Sequence, residues 1–338
     1  MMSKKVLTNF QGTQYLSSTA IIKKFLSLEN FYNAWEKVAG KRGCAGIDEE
    51  TLEDFSRDLR GNLSRLRDAV ANCIYQPLPC KQVLIPKKKG NWRELRIPTV
   101  RDRIIQHALL NVLAPGVDCK FSRASFGYRP NLSYINAVEQ VAQWRDLGYY
   151  WVLDADITQF FDNIQHERLL REVRKHIDYP GILCLIKAWI SVGVMTKNGL
   201  VRAEKGVPQG AVISPLMANI YLDEFDKIIM ASDIKLVRYA DDFLVLAKTK
   251  EQIIHAYSIV QFTLNSMGLI LNLEKTQITH FSRGFRFLGH GFVEDNIFPL
   301  ESSNTENISP SFKSNRARKK TFNNPSGKKI SPPFPSQY

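Results

Sequence analysis

The 338 residues carry a formal net charge of +13, with 46 Lys and Arg against 33 Asp and Glu. That length allows two or three structural units around a substantial core, and the charge points to a polyanionic partner rather than an acidic surface. Five cysteines with no C-x-x-C pair argue against a disulfide framework or a zinc site. No run reaches the about 18 apolar residues of a membrane span, and no signal-peptide stretch follows Met1, so a cytoplasmic protein with no membrane partner is expected.

In chain order, residues 1–70 read as an N-terminal helical segment. Phe31, Tyr32, Ala34, Trp35 and Val38, then Leu52 and Phe55, recur at helical spacing, and Gly46-Ile47-Asp48 marks a turn before the second helix. From Tyr75 to Pro98 the texture is that of strands: Lys81 to Pro86, followed by Lys87 to Pro98, reads as a hairpin with a basic tip around Gly90-Asn91. Val100 to Leu110 is helical, with arginines opposite its apolar positions. Trp151 to Ile157 is a buried strand ending in acids, and Ile164 to Lys175 a helix capped by Asp162 or Asn163. Ser214-Pro215 starts another helix, and Glu251 to Met267 forms one more. The resulting β-α-β-β order predicts an α+β fold with a ferredoxin-like sheet and helices on one face. Residues 301–338, with seven basic and two acidic residues, offer too little apolar surface to offset ordering entropy and are expected to be a disordered basic tail.

The chemistry gathers at Tyr239-Ala240-Asp241-Asp242, between Leu236-Val237 and Phe243-Leu244-Val245-Leu246. Two acids at the turn of a hairpin lie outside the core and can hold a hard divalent ion through oxygen; a turn that is merely solvated would use Asp as well. The second acidic element decides between them. Asp154 and Asp156 end the earlier strand, 85 positions before Asp241 (241 minus 156), and both point to one side of it. Between the two elements, Gly206-Val207-Pro208-Gln209-Gly210 places glycines where a backbone can come close to a ligand.

These three elements, in this order, resemble the palm of a reverse transcriptase, specifically the group II intron-like bacterial branch, over about residues 30–300. The resemblance implies right-hand polymerase fingers at 71–148 and a palm with a primer-grip hairpin at 149–300. It implies an RNA-directed DNA polymerase that adds dNMP to a primer 3′ end by two-metal phosphoryl transfer. Its partners would be an RNA template, a DNA or RNA primer and dNTPs; its cofactor would be two Mg²⁺ ions, with Mn²⁺ as a substitute.

The family's pattern assigns the metal site to Asp156, Ile157, Asp241 and Asp242. Asp156 is preferred to Asp154 because the family's ligand stands five residues before an aromatic, and Phe161 occupies that place. Lys275, in Leu273-Glu274-Lys275-Thr276, matches a lysine near the leaving pyrophosphate, a general-acid position. For the incoming nucleotide the resemblance points to Arg93 and one of Lys87, Lys88 or Lys89 at the triphosphate, to Phe161 under the sugar, and to Gln209 and Gly210 beside it. Tyr239 and Ala240 lie where the primer end passes, Phe287 to Phe292 matches the primer grip, and Arg101 and Arg129 are candidate phosphate contacts. Family maturases continue into a helical thumb, which here leaves protein partners to supply thumb-like contacts. Free-standing and CRISPR-associated or antiviral-defence settings stay open. A splicing or assembly factor using the palm as an RNA-binding scaffold is the rival, and it has no need for three mutually repelling carboxylates. A template-independent nucleotidyl transferase has no need for the fingers hairpin.

Overall fold

The computed structural model describes residues 18–86 and 92–300. The expectations for Lys87, Lys88, Lys89, the Gly90-Asn91 tip and residues 301–338 lie outside the described residues.

Helices α1 (Ser18–Phe25), α2 (Leu28–Gly40), α3 (Leu52–Ser56) and α4 (Leu59–Ala71) open the chain. Ser27 starts α2 by accepting from the Asn30 amide, and Thr51 and Asp54 form a reciprocal cap on α3. Phe31, Ala34, Trp35 and Val38 bury one stripe of α2. That stripe packs on α5 (Val100–Asp118), and buried Asn30 joins the two helices by donating to the carbonyls of Phe25 and Ala108 at 3.0 and 2.9 Å. The predicted hairpin is present as β1 (Cys80–Pro86) and β2 (Trp92–Ile97), antiparallel with Pro86 opposite Trp92. Its sheet is completed from farther along the chain: β4 (Val194–Thr196) pairs in parallel with β1, and β5 (Gly199–Val201) follows. The hairpin is therefore bolted to the central part of the molecule rather than standing free.

After α6 (Tyr134–Asp146), strand β3 (Trp151–Asp156) begins the main sheet. The chain then runs through α7 (Phe160–Asn163), α8 (His166–Arg174) and α9 (Pro180–Ser191). The helix expected over Ile164–Lys175 is present as α8, which starts two residues later, after Gln165, without a side-chain cap. Asp162 and Asn163 are engaged elsewhere: Asp162 pairs with Arg96 at 2.9 Å, and Asn163 donates to the Thr158 carbonyl at 3.1 Å. Helix α10 (Ser214–Met230) leads to β6 (Lys235–Tyr239) and β7 (Asp242–Ala247), then α11 (Lys250–Ser266) and β8 (Gln277–His280).

The strands lie in the order β6-β7-β3-β8, every pair antiparallel. In sequence rank this is second-third-first-fourth, the ferredoxin-like arrangement. Period-2 alternation divides the sheet cleanly. Leu153, Ala155, Phe243, Val245 and Ala247 face the core that includes α10 and α11. Val152, Leu244 and Leu246 face the other side, where α6 and a small sheet of β9 (Phe285–Phe287), β10 (His290–Val293) and β11 (Asn296–Pro299) cover them. Asp154 and Asp156 continue the Val152 side, beyond that cover.

Candidate active site

The register fixes the central geometry. Asp156, the last residue of β3, lies directly opposite Asp242, the first of β7, while Asp154 lies opposite Leu244. Asp241 occupies the turn between β6 and β7, next to Ala240, whose φ of 60° is left-handed for a residue with a side chain. Three carboxylates thus gather at one end of the sheet.

Their electrostatics differ. Burial holds the Asp242 carboxyl up at about 7, reinforced by the charges of Asp154, Asp241 and Asp156. Asp241 is pushed up mainly by burial and also by Asp156, while Arg93 on β2 and Lys275 pull it back. Asp154 is raised by burial, partly offset by a hydrogen bond from Gln277 Nε2 to its Oδ2 at 3.1 Å. Asp156 has a cation of its own. Lys275 Nζ donates to Asp156 Oδ2 at 2.8 Å, and this bond raises the lysine's pKa. Asn272 donates its amide to the Asp156 carbonyl at 2.8 Å, which holds the segment carrying Lys275 against β3.

A divalent ion fits this donor set in kind. The groups are hard oxygens, they repel one another without a cation, and an ammonium already sits where positive charge is wanted. Among the described residues, no three His, Cys, Asp or Glu side chains converge closely enough to hold a metal unaided. The Ile157 side chain is in the core, so its backbone carbonyl is the oxygen it can offer.

The remaining predicted residues are placed as follows. Phe161 is 9% exposed and meets Phe160 edge-on at 5.3 Å, with Phe160 the more deeply buried of the two. Tyr239 is half-buried and Ala240 buried. Gln209 and Gly210 are close to the fingers hairpin: the Gln209 carbonyl accepts from the Arg96 amide at 2.7 Å, and a Cβ on Gly210 (φ 112°) would lie 3.0 Å from the Arg96 carbonyl. The close approach that Gly210 permits is therefore to β2. Arg93 is exposed on that strand, and its charge reaches Asp241. Arg101 and Arg129, expected at phosphates, are engaged within the protein. Arg101 binds Glu50 through two bonds of 2.8 Å, and Arg129 binds Asp118 and the carbonyls of Ser122 and Ser125.

What sequence reading missed is the support under the turn. Arg238 is completely buried in β6 and pairs with equally buried Asp226 of α10. It also donates to Asn219 Oδ1, Ser125 Oγ and the Ala240 carbonyl, the last at 2.9 Å. Asn219 in turn donates to the Gly127 carbonyl, and a Cβ on Gly127 would lie 2.4 Å from the Ala240 amide nitrogen. The signal was present as a lone Arg inside an apolar strand, which a buried cation makes only with a partner. Nothing in the sequence names the partner.

This fold and site define a polymerase palm, and comparison with known proteins agrees. The family "Reverse transcriptase (RNA-dependent DNA polymerase)" matches residues 85–292, and the chain belongs to it. It is 33% identical to Protein YkfC of Escherichia coli over 76% of this chain and 77% of that protein. It is 25% identical to the group II intron-encoded protein LtrA of Lactococcus lactis subsp. cremoris, covering 80% of this chain but 56% of LtrA. Among solved structures it superposes on telomerase from Candida albicans with a TM-score of 0.54, at 16% identity, over 77% of this chain and 51% of that one, a likeness of fold. No described helix is long and apolar enough to cross a membrane.

Proposed function

We propose that this chain copies RNA into DNA, adding deoxynucleotides to a primer 3′ end at the carboxylates of Asp156, Asp241 and Asp242. The observation that carries the reading is the register that sets Asp156 against Asp242, with Asp241 on the adjoining turn. Asp156, Asp241, Asp242 and the Ile157 carbonyl would hold two Mg²⁺ ions, which supply charge neutralisation for an attacking primer hydroxyl and a leaving pyrophosphate.

The chain's own groups do the rest. Arg93, exposed across from Asp241, binds the triphosphate, together with a lysine among Lys87, Lys88 and Lys89. Lys275 is kept protonated by Asp156, and its Nζ proton is available to the pyrophosphate oxygen. Phe161 lies under the sugar and excludes a 2′-hydroxyl, while Gln209 and Gly210 edge the same pocket from the loop fixed to β2. Tyr239 and Ala240 meet the primer end. Protein partners supply contacts on the template-primer duplex beyond the primer grip.

The test is Mg²⁺-dependent incorporation of labelled dNTPs on a primed RNA template by the intact chain and by the Asp241→Asn, Asp242→Asn double variant. Extension by the intact chain alone supports the reading. Its absence despite demonstrated RNA binding contradicts it and favours the RNA-binding scaffold.

A further inference from the structure

At the end of the main sheet away from the carboxylates, four strands bring a different set of residues into one row. The register aligns Lys235 of β6 with Leu246, Trp151 of β3 with Ala247, and Trp151 with His280 of β8. Lys248 and Lys250 follow directly where β7 ends. The ammonium of Lys235 lies 5.3 Å from the Trp144 ring and 5.5 Å from that of Tyr149; Lys248 lies 5.1 Å from Tyr149, and Lys250 5.9 Å from Trp151. His280 meets Trp151 edge-on at 5.0 Å. Tyr150 is 44% exposed, and Lys248 and Lys250 are exposed as well.

Two features separate this row from ordinary surface lysines. Three like charges are gathered at the start of β6 and just past the end of β7, and among the described residues none has a carboxylate within ion-pair distance. Of the carboxylates on adjoining elements, Asp146 bonds to Arg145, while Glu251 at the start of α11 bonds to Thr249 and also acts electrostatically with Lys250. Each ammonium already lies beside an aromatic ring, which restrains the side chain and lowers the entropy lost when it meets a ligand. Pre-ordered cations beside an exposed aromatic face match the combination with which proteins hold single-stranded nucleic acid, phosphates on the lysines and a base on the ring.

We infer that this end of the sheet is a second RNA-binding surface, on which Lys235, Lys248 and Lys250 hold phosphodiesters and Tyr150 stacks a base. Trp151 and Asp156 are five residue steps apart on β3, about 17 Å, which sets the row at the far end of the sheet from the carboxylates. The inference does not depend on polymerase activity.

The test measures binding of an unprimed single-stranded RNA to the full chain by fluorescence anisotropy across a salt series. The intact chain is compared with the Lys235→Gln, Lys248→Gln, Lys250→Gln variant. A charge-matched control carries Lys23→Gln, Arg60→Gln and Lys187→Gln. Each phosphate contact on a single strand contributes about 0.7 to the slope of log affinity against log salt. The first variant should bind more weakly, with a slope shallower by about 2, while the control stays near the intact chain. Arginine at the same three positions should restore binding, and Tyr150→Ala should weaken it without changing the slope. Equal loss in both glutamine variants, or none in either, would overturn the assignment. So would loss confined to a primed template, which would make the row part of the copying path. Equally tight binding of a polyglutamate peptide, lost in the same variant, would assign the surface to an acidic protein and overturn it too.

Discussion

Asp156 and Asp242 cannot both carry a charge comfortably across one antiparallel pair, and burial of Asp242 sharpens the conflict until a cation relieves it. Lys275 relieves one side by binding Asp156. If these groups are the metal ligands, replacing Asp241 with Asn should lower primer extension by at least about a hundredfold, since metal stabilisation is worth several kcal/mol and each 1.36 kcal/mol is tenfold in rate. Single-turnover extension at saturating RNA checks it. Phe161→Val should leave dNTP use within a few-fold while narrowing the preference for dNTP over NTP by about 10- to 200-fold, the range a pocket gains or loses with one side chain's bulk. The ratio of kcat/KM for the two nucleotides is the readout.

A separate residue adds its own pH dependence to stability. Asp102 is buried on α5 and accepts from Tyr75, Trp189 and Thr99, yet burial outweighs these bonds and raises its carboxyl to about 6. The folded chain therefore keeps a proton that the unfolded chain has released between about pH 4 and 6. Stability from this group falls as pH rises through that window and is constant above it. A shift of about 2 pH units corresponds to about 3 kcal/mol. Urea unfolding of Asp102→Asn should lack this slope, and an unchanged pH profile would contradict the assignment.

At the scale of elements, the β6–β7 turn is held from beneath by the Arg238–Asp226 pair and from the side by Gly127. Arg238→Met leaves Asp226 buried without its partner, a change that costs about 3–5 kcal/mol. Adding Asp226→Leu should recover part of that loss, because both charges are then gone; denaturant midpoints of the two variants decide it. Gly127→Ala should reduce extension more than it reduces Tm, since its Cβ would press on the Ala240 amide rather than on the core. The hairpin, its acids and the helix from Ser214 were legible because period-2 and period-3.6 patterns are local. That neither Asp162 nor Asn163 caps α8 was not legible. It depends on Asp162 being drawn to Arg96, a partner 66 positions earlier (162 minus 96). The same reason hides why Gly210 must be glycine: the atom it avoids is a carbonyl on β2.

Across the whole molecule, fingers and palm share a core. Buried residues from Phe25 to Leu271 form one apolar cluster, β1 pairs with β4, and Arg96 links Glu94 on its own strand to Asp162 beside the palm. The ferredoxin-like strand order followed from the sequence of β and α patterns. Of the cover on the sheet's second face, the hairpin about Leu288-Gly289 matches the one the resemblance implies and forms β9 and β10, while α6 and the short β11 did not follow from the sequence. That cover stops short of the acids and leaves their end of the sheet open. The measurement that tests the central claim most directly is single-nucleotide incorporation on four primed RNA templates differing only in the first unpaired base. A template-directed polymerase adds the complementary dNMP on each, and the Asp241→Asn, Asp242→Asn variant adds none. The same nucleotide on all four templates, or no addition by an intact chain that binds the RNA, would contradict it.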